Sequence, residues 1–164
     1  PSIWRIELWH PPIVHFPIAL LLIGTVFRLI GTAQDSLPSF DFFLPAGRTL
    51  LILGTIGAWC AIYTGSEAYY EVVRTLCDPT VAETHNLFAY WTAGLFSAAI
   101  VIDSILWAKL FLDSENIMFH IFVCLLYLAG SATLIYTGHL GSTLVYQQGA
   151  GVYEPSKKCI EFTS

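Results

Sequence analysis

Residues 13–30 read IVHFPIALLLIGTVFRLI, an apolar run that is long enough to cross a lipid bilayer as a helix. A transmembrane helix needs about 20 predominantly apolar residues. Three further segments meet the same condition, namely 44–64, 87–106 and 117–136. None of the four alternates apolar and polar residues with a period of two, which is the pattern of strands in a membrane barrel. The sequence therefore predicts four transmembrane helices.

The composition of the chain agrees with a membrane protein. Hydrophobic residues make up 55% of the 164 residues and charged residues only 12%, whereas about 25% of the residues in a soluble domain are charged. So few polar residues would not cover a soluble core, which argues against an ordinary water-soluble enzyme. Only seven residues are Lys or Arg, and they form no basic run, which argues against nucleic acid as a partner. The expected partner is the lipid bilayer.

Basic residues near the ends of the predicted helices indicate how the chain is oriented. Four crossings place both termini and the 65–86 connection on one side of the membrane, here named the outer end of the bundle. Arg28, Arg48 and Lys109 lie at the opposite, inner end, close to the helices. Lys and Arg close to membrane spans are enriched on the cytoplasmic side. Both termini are therefore predicted to lie outside the cytoplasm, which is the periplasm if the source is a Gram-negative bacterium.

Two of the four cysteines bear on this orientation. Cys77 and Cys159 both lie in outer segments, while Cys60 and Cys124 lie within predicted spans. Disulfides form and persist in oxidising compartments, so a disulfide between Cys77 and Cys159 is predicted if the outer end is periplasmic. The alternative is two unpaired surface thiols.

The two halves of the chain resemble each other. The sequence IYTG occurs at 62–65, at the end of the second span, and an identical one occurs at 135–138, at the end of the fourth. Each copy follows, at a similar distance, a histidine that opens the preceding span, His15 or His85. Two hairpins in the same orientation, related by a pseudo-twofold axis along the membrane normal, would explain this pattern. The predicted fold class is all-α, an integral membrane four-helix bundle of two pseudo-repeated hairpins.

The four spans are predicted to form a single domain over residues 1–164, with an extramembrane C-terminal tail over 139–164. The fourth helix is expected to end at Gly138, and the glycines of the tail allow it to turn back over the bundle. Because the outer segments are longer than the inner connections, contacts with partners are expected at the outer end.

Four of the five histidines are predicted to lie near the outer end, namely His10, His15, His85 and His139. A polar side chain in or near hydrocarbon usually has a partner. Because His15 and His85 open equivalent helices, a twofold axis would aim their rings at each other. Two facing imidazoles above small residues suit a six-coordinate haem b, whose iron accepts the imidazole lone pairs. His10 and His139 would support this pair.

Two arginines and two glutamates complete the candidate outer site. Arg5 and Arg74 are the candidate partners for haem propionates, since guanidinium groups pair well with carboxylates. A copper or zinc ion held by three or four histidines together with Glu67 or Glu83 is a second possibility, and a bundle without any cofactor is a third. The sequence lacks CxxCH, which argues against covalently attached haem c.

The inner end carries different polar residues. His120 has no second histidine at its depth, so a haem with two histidine ligands is not expected there. Asp103 is the only acidic residue well inside a span, and an ionisable group in the membrane normally pairs with another. Asp103 is therefore predicted to pair with Arg28 or Arg48 in a structural role.

The chain resembles a known family of bacterial four-helix membrane proteins, domain-of-unknown-function family 2231, over nearly its whole length. The stretch HPPIVHFPIAL at 10–20 is similar to the opening motif of that family. Its closing motif is matched by YTG at 136–138, Gly141, LVY at 144–146 and GAGV at 149–152. Members commonly have a second glycine and a histidine where this chain has Ser142 and Gln148. If the missing histidine helps to bind a cofactor in relatives, the site here would differ or would depend on His139.

The resemblance implies a bacterial inner-membrane protein, often associated with redox and cytochrome systems, but no established reaction. Together with the histidines, it predicts a haem b protein that transfers electrons to or from a redox partner or quinone at the outer end. The alternatives are a cofactor-free anchor or scaffold subunit of a larger respiratory or redox complex, and a histidine-ligated copper or zinc site. No nucleophile with a base and an orienting group can be assembled from the sequence, so an independent enzyme is not predicted.

Overall fold

The computed structural model of the protein describes residues 5, 8–33, 41–110 and 116–152. Four long helices make up nearly all of this part of the chain: α1 His10–Ala33, α2 Phe43–Val72, α3 Pro79–Trp107 and α4 Ile117–Tyr146. A single 3-10 turn, Val73–Thr75, follows α2 directly. All four helices are long and apolar enough to cross a membrane. The predicted all-α fold with four transmembrane helices is confirmed.

Helices α3 and α4 begin at capping residues, and all four helices extend past the apolar spans that predicted them. The Asp78 carboxylate accepts a hydrogen bond from the Thr80 N–H where α3 begins, and the Asn116 side chain accepts one from the Met118 N–H where α4 begins. These side chains satisfy N–H groups that have no partner within a helix. Hydropathy marks the hydrocarbon-spanning part of a helix, whereas capping marks its end, so the two boundaries differ.

The helix end predicted at Gly138 is wrong. Helix α4 continues through Gly138 to Tyr146, because a single glycine costs a helix only about 1 kcal/mol relative to alanine. The chain turns out of the helical region later, at Gly149 and Gly151, whose φ angles are +69° and +68°. Glycine adopts this conformation without the steric penalty that a side chain imposes.

The bundle consists of two hairpins. Helix α1 packs along α2 and α3 packs along α4, and the hairpins meet mainly through α2 and α3. One contact between the hairpins is a hydrogen bond of 3.1 Å from the Trp59 indole Nε1 to the Ser97 hydroxyl. Neighbouring contacts run from α1 through α2 and α3 to α4 and back to α1, so α1 and α3 face each other diagonally.

The buried residues of the two hairpins correspond. Buried residues of α1 have buried counterparts 75 residues later in α3, which is the separation between Arg28 and Asp103. The buried pairs at this separation are Pro17 with Thr92, Leu21 with Phe96, Gly24 with Ala99, Arg28 with Asp103 and Gly31 with Leu106. In α2 and α4 the separation is one residue longer, and it relates Gly47 to Val123, Leu51 to Tyr127, Gly54 to Gly130 and Ala58 to Leu134. The chain is therefore built from two pseudo-repeated hairpins.

The register of this repeat differs from the one that the IYTG sequences predicted. At the separation shared by the buried residues, the equivalent of His85 is His10 rather than His15. The IYTG sequences were a poor guide because their tyrosines, Tyr63 and Tyr136, are both exposed at the bundle surface. Exposed residues are not held to one register by packing between the helices.

Glycines allow the helices of one hairpin to approach closely. A Cβ atom added to Gly47 would lie 2.8 Å from the Arg28 backbone nitrogen, which cannot move without displacing α1. A Cβ atom added to Gly94, by contrast, would meet no atom within 4 Å. Small residues of this kind are typical of helix contacts in membranes, where close backbone approach provides the packing energy.

These two glycines allow a matched test of the packing. Gly47→Ala is expected to reduce the free energy of unfolding by about 1–3 kcal/mol, the usual effect of overpacking a close contact. Gly94→Ala is expected to leave it unchanged or to increase it, because alanine favours a helix more than glycine does. Thermal unfolding of both variants in one detergent measures the difference. Equal shifts in melting temperature would contradict the close packing of α1 on α2.

The ion pair predicted for Asp103 is confirmed, and it involves both candidate arginines. Arg28 donates to the Asp103 carboxylate from Nη2 at 2.7 Å and from Nε at 3.2 Å, and Arg48 donates from Nε at 3.1 Å. The Arg28 and Asp103 side chains are 1% and 3% exposed. A lone carboxylate at this depth needs a cationic partner because an unpaired charge is costly in the membrane.

Candidate functional site

Two histidines from equivalent positions meet at the outer end of the bundle. His10 is the first residue of α1 and His85 lies near the start of α3. Their ring centroids are 6.3 Å apart, and the ring planes are nearly perpendicular, at 88°. Both side chains are half-buried. The diagonal arrangement of α1 and α3 thus brings together His10 with His85 at one end and Arg28 with Asp103 at the other.

Each imidazole is held by a backbone carbonyl of the partner helix in its own hairpin. The distance from His10 Nδ1 to the Ala61 carbonyl oxygen is 3.0 Å, and the distance from His85 Nδ1 to the Thr137 carbonyl oxygen is also 3.0 Å. The Thr64 hydroxyl oxygen lies 3.4 Å from His10 Nδ1 as well. The two hydrogen bonds are equivalent in the repeat, so the pseudo-symmetry extends to the orientation of the rings.

Glycines make room for the rings beside these carbonyls. Gly65 and Gly141 each lie four residues after the carbonyl group that accepts the bond, on the same face of the helix. A Cβ atom would lie 2.8 Å from the His10 Cε1 atom at Gly65, and 3.2 Å from the His85 Cε1 atom at Gly141. Any larger residue at either position would push the ring away from its carbonyl.

The hydrogen bonds determine which ring nitrogen is available to a ligand. A carbonyl oxygen can only accept a hydrogen bond, so the Nδ1 atom of each ring carries the proton that it donates. In a neutral imidazole the lone pair then resides on Nε2. Histidines that bind metals typically show this arrangement, in which the second nitrogen donates to a carbonyl or carboxylate and fixes the ring. His10 and His85 therefore each present one basic nitrogen.

His15 does not take the position that the sequence analysis assigned to it. The structure places His10, and not His15, against His85. His15 is exposed, and its Nδ1 atom lies 2.6 Å from the Pro11 carbonyl oxygen of its own helix. Five residues of α-helix separate His15 from His10, which turns its side chain by roughly 140° around the helix. The face of α1 that carries His10 is the one that points into the bundle.

The other predicted outer residues are not part of this pair. His139 is exposed on α4, and its backbone carbonyl accepts hydrogen bonds from the Ser142 and Thr143 hydroxyls. Arg5 and Arg74 are exposed at the outer end. The proposal that the two arginines bind propionate groups remains a prediction.

The predicted disulfide is not tested by the described residues. Cys77 is exposed in the connection between α2 and α3, while Cys159 lies outside the part of the chain that the structure describes. The described cysteines, Cys60, Cys77 and Cys124, do not form a disulfide with one another. The pairing of Cys77 with Cys159 therefore stays a prediction.

The histidine pair offers two imidazole nitrogens, one on each ring. Within residues 8–33, 41–110 and 116–152, no group of three or more His, Cys, Asp or Glu side chains is arranged to hold a metal ion. Zinc sites in proteins normally take three or four protein ligands. A haem iron takes four ligands from its porphyrin and up to two from the protein, which is the number of imidazoles in this pair.

Sequence reasoning missed His10 as the partner of His85, and it missed the glycines beside both rings. One signal in the sequence could have found them. Two pairs of glycines lie at the same separation along the chain, Gly54 with Gly130 and Gly65 with Gly141. This separation differs by one residue from the separation between His10 and His85. The carbonyl partners, by contrast, are backbone atoms, and no residue type at 61 or 137 marks them.

The fold and the site together define an all-helical integral membrane protein with a histidine pair between its two hairpins. Residues 9–154 match the profile of a family described as predicted membrane protein, DUF2231. The chain belongs to that family. No curated protein and no solved structure matches the chain significantly.

Proposed function

We propose that this protein is a membrane-embedded haem b protein in which His10 and His85 ligate the iron, and that it transfers electrons at the outer end of the bundle. The observation that carries the proposal is the pair of imidazoles from equivalent helices, both tethered through Nδ1 and both presenting Nε2. Imidazole nitrogens bind metals at roughly 2.0–2.1 Å. His10 and His85 would hold the iron through Nε2, and the 6.3 Å between their ring centroids brings both imidazoles to one site.

The residues around the pair support the same assignment. Gly65 and Gly141 let the two rings pack directly against the helix backbone, and the buried Ala61 and Ala82 are small. When bound, haem supplies a one-electron couple whose potential depends on its axial ligands and their hydrogen bonds. Here the carbonyls of Ala61 and Thr137 hold the rings in position and raise the basicity of Nε2.

The partner of this site is proposed to lie at the outer end. His10 and His85 are near the ends of their helices, whereas Asp103 lies further along α3 towards the inner end. A periplasmic redox protein, or a quinone that reaches the outer leaflet, would come closest to the histidine pair. We place the protein in the bacterial inner membrane with both termini in the periplasm, and Arg5 and Arg74 remain candidates for propionate binding.

A visible absorption spectrum of the purified protein tests the proposal. Protein expressed with sufficient haem is expected to show a Soret band, to bind about one haem per chain through its single pair of tethered imidazoles, and to change its spectrum on reduction with dithionite. Metal analysis should then find iron in the same ratio. A colourless protein under these conditions would contradict the proposal and favour a cofactor-free anchor of a larger complex. Copper or zinc in place of iron would favour a histidine-ligated metal site.

A further inference from the structure

Among the described residues, the ion cluster of Arg28, Arg48 and Asp103 at the inner end has two positive charges and one negative charge. Arg28 and Arg48 both donate to the single carboxylate of Asp103. Two guanidinium groups therefore share one negative charge. The Arg28 side chain is 1% exposed and that of Arg48 is 23% exposed, so the excess charge lies largely out of water. A charge in such a position is stabilised most by an anion with hydrogen-bonding oxygens.

A cavity of about 120 Å³ lies against this cluster. Its walls are formed by residues from the end of α1 and the beginnings of α2 and α4, namely Arg28, Thr32, Leu44, Arg48, Ile117 and His120. None of the six is acidic. A cavity can hold a water molecule once it exceeds roughly 15 Å³, so this one has room for several waters or for a group of the size of phosphate.

Two helix N-termini adjoin the same cavity. Ile117 is the first residue of α4 and Leu44 is the second residue of α2. The N-terminus of a helix carries partial positive charge and favours an anion. The cavity thus has two guanidinium groups and two helix N-termini around one small space.

We propose that this cavity at the inner end binds a phosphate group, supplied by an anionic phospholipid of the adjoining leaflet or by free inorganic phosphate. Guanidinium groups form paired hydrogen bonds with phosphate oxygens. Basic pockets between transmembrane helices typically hold anionic lipid head groups. The site lies at the opposite end of the bundle from His10 and His85, and it does not depend on haem.

Native mass spectrometry of the full chain in detergent tests the proposal with two probes, phosphatidylglycerol and phosphatidylcholine. The wild-type protein is expected to retain phosphatidylglycerol at least about fivefold more than phosphatidylcholine, a preference of the size that one basic residue contributes. Ile117→Glu, which adds a carboxylate at the exposed edge of the cavity, should remove this preference. Ile117→Gln is the matched neutral control and should keep it. Arg48→Gln should also remove it, whereas Lys109→Gln at the same end should not.

Inorganic phosphate provides the second arm of the experiment. If the natural ligand is free phosphate, millimolar phosphate should raise the melting temperature of the delipidated wild-type protein and of Ile117→Gln, but not that of Ile117→Glu. If the ligand is a lipid, phosphatidylglycerol should give this pattern and free phosphate should not. The proposal would be overturned if phosphatidylglycerol or inorganic phosphate bound to Ile117→Glu and Arg48→Gln as well as to the wild-type protein. It would also be overturned if neither of these two probes bound to the wild-type protein. The pair of Ile117 variants keeps the test decisive even if Arg48→Gln does not fold.

Discussion

Replacing His10 or His85 by alanine is expected to abolish haem binding, whereas His15→Ala is expected to leave it intact. His10 and His85 face each other across the bundle with Nε2 available on both rings. His15 is exposed on another face of α1. Loss of either proposed ligand should lower the haem content by at least about tenfold, since changes even to the partners of metal ligands cost 10- to 100-fold. The ratio of Soret absorbance to protein absorbance in the purified variants measures the effect.

Two controls separate the loss of a ligand from the loss of the fold. His139→Ala removes another outer histidine that is exposed on α4, and it should keep the wild-type spectrum. The helical signal in circular dichroism should be unchanged in all four variants. Loss of the Soret band in His15→Ala, with its retention in His10→Ala, would show that the ligand pair is the one predicted from the sequence and not the one assigned from the structure.

The number and type of the helices could be predicted from the sequence because hydrocarbon imposes a strong constraint. A helix that crosses the membrane needs a long apolar run, and the segments at 13–30, 44–64, 87–106 and 117–136 each lie within one helix of the structure. The ion pair of Asp103 was predictable for a related reason. A single carboxylate at that depth needs a cation, and only a few basic residues were near enough to supply it.

The partner of His85 was not predictable by the same reasoning. Two histidines, His10 and His15, lie just before and just inside the start of the first apolar run, and hydropathy does not determine which of them faces the bundle. The face is fixed by tertiary packing, in which Leu21 and Arg28 of α1 are buried on the same side of the helix as the half-buried His10. A match of four residues cannot define a register when its most prominent residues, such as Tyr63, are exposed.

The hydrogen bonds that orient the rings could not be predicted because their acceptors are backbone carbonyls. Every helical residue has a carbonyl group, and within a helix it is normally occupied by the N–H four residues later. Only the glycine at that later position, Gly65 or Gly141, exposes the carbonyl to an imidazole from a neighbouring helix. Glycine in a membrane helix most often indicates close packing, so its role beside a ring becomes visible only in the structure.

Asp103→Ala is expected to reduce the free energy of unfolding by about 3–5 kcal/mol, the usual cost of removing one partner of a buried ion pair. The variant leaves the Arg28 guanidinium, which is 1% exposed, without its carboxylate. The Thr32 hydroxyl, to which Arg28 Nη1 also donates, cannot neutralise the charge. Arg48, which is 23% exposed, can turn towards the head groups. Its loss of the carboxylate is therefore expected to reduce the free energy of unfolding less than the same loss at Arg28. Unfolding by denaturing detergent, followed by circular dichroism, measures the change.

A double variant distinguishes the charge from the packing. Replacing both partners, with Arg28→Met and Asp103→Leu, should recover most of the stability lost in Asp103→Ala, because a buried ion pair can often be exchanged for apolar side chains at little cost. Arg48→Gln, which leaves the two hydrogen bonds between Arg28 and Asp103 in place, should cost about 1 kcal/mol or less, as is usual for partly exposed pairs. If Asp103→Ala and Arg48→Gln were equally stable, the Asp103 carboxylate would not be what holds Arg28 inside the bundle. The diagonal contact between α1 and α3 would then depend on apolar packing at this end.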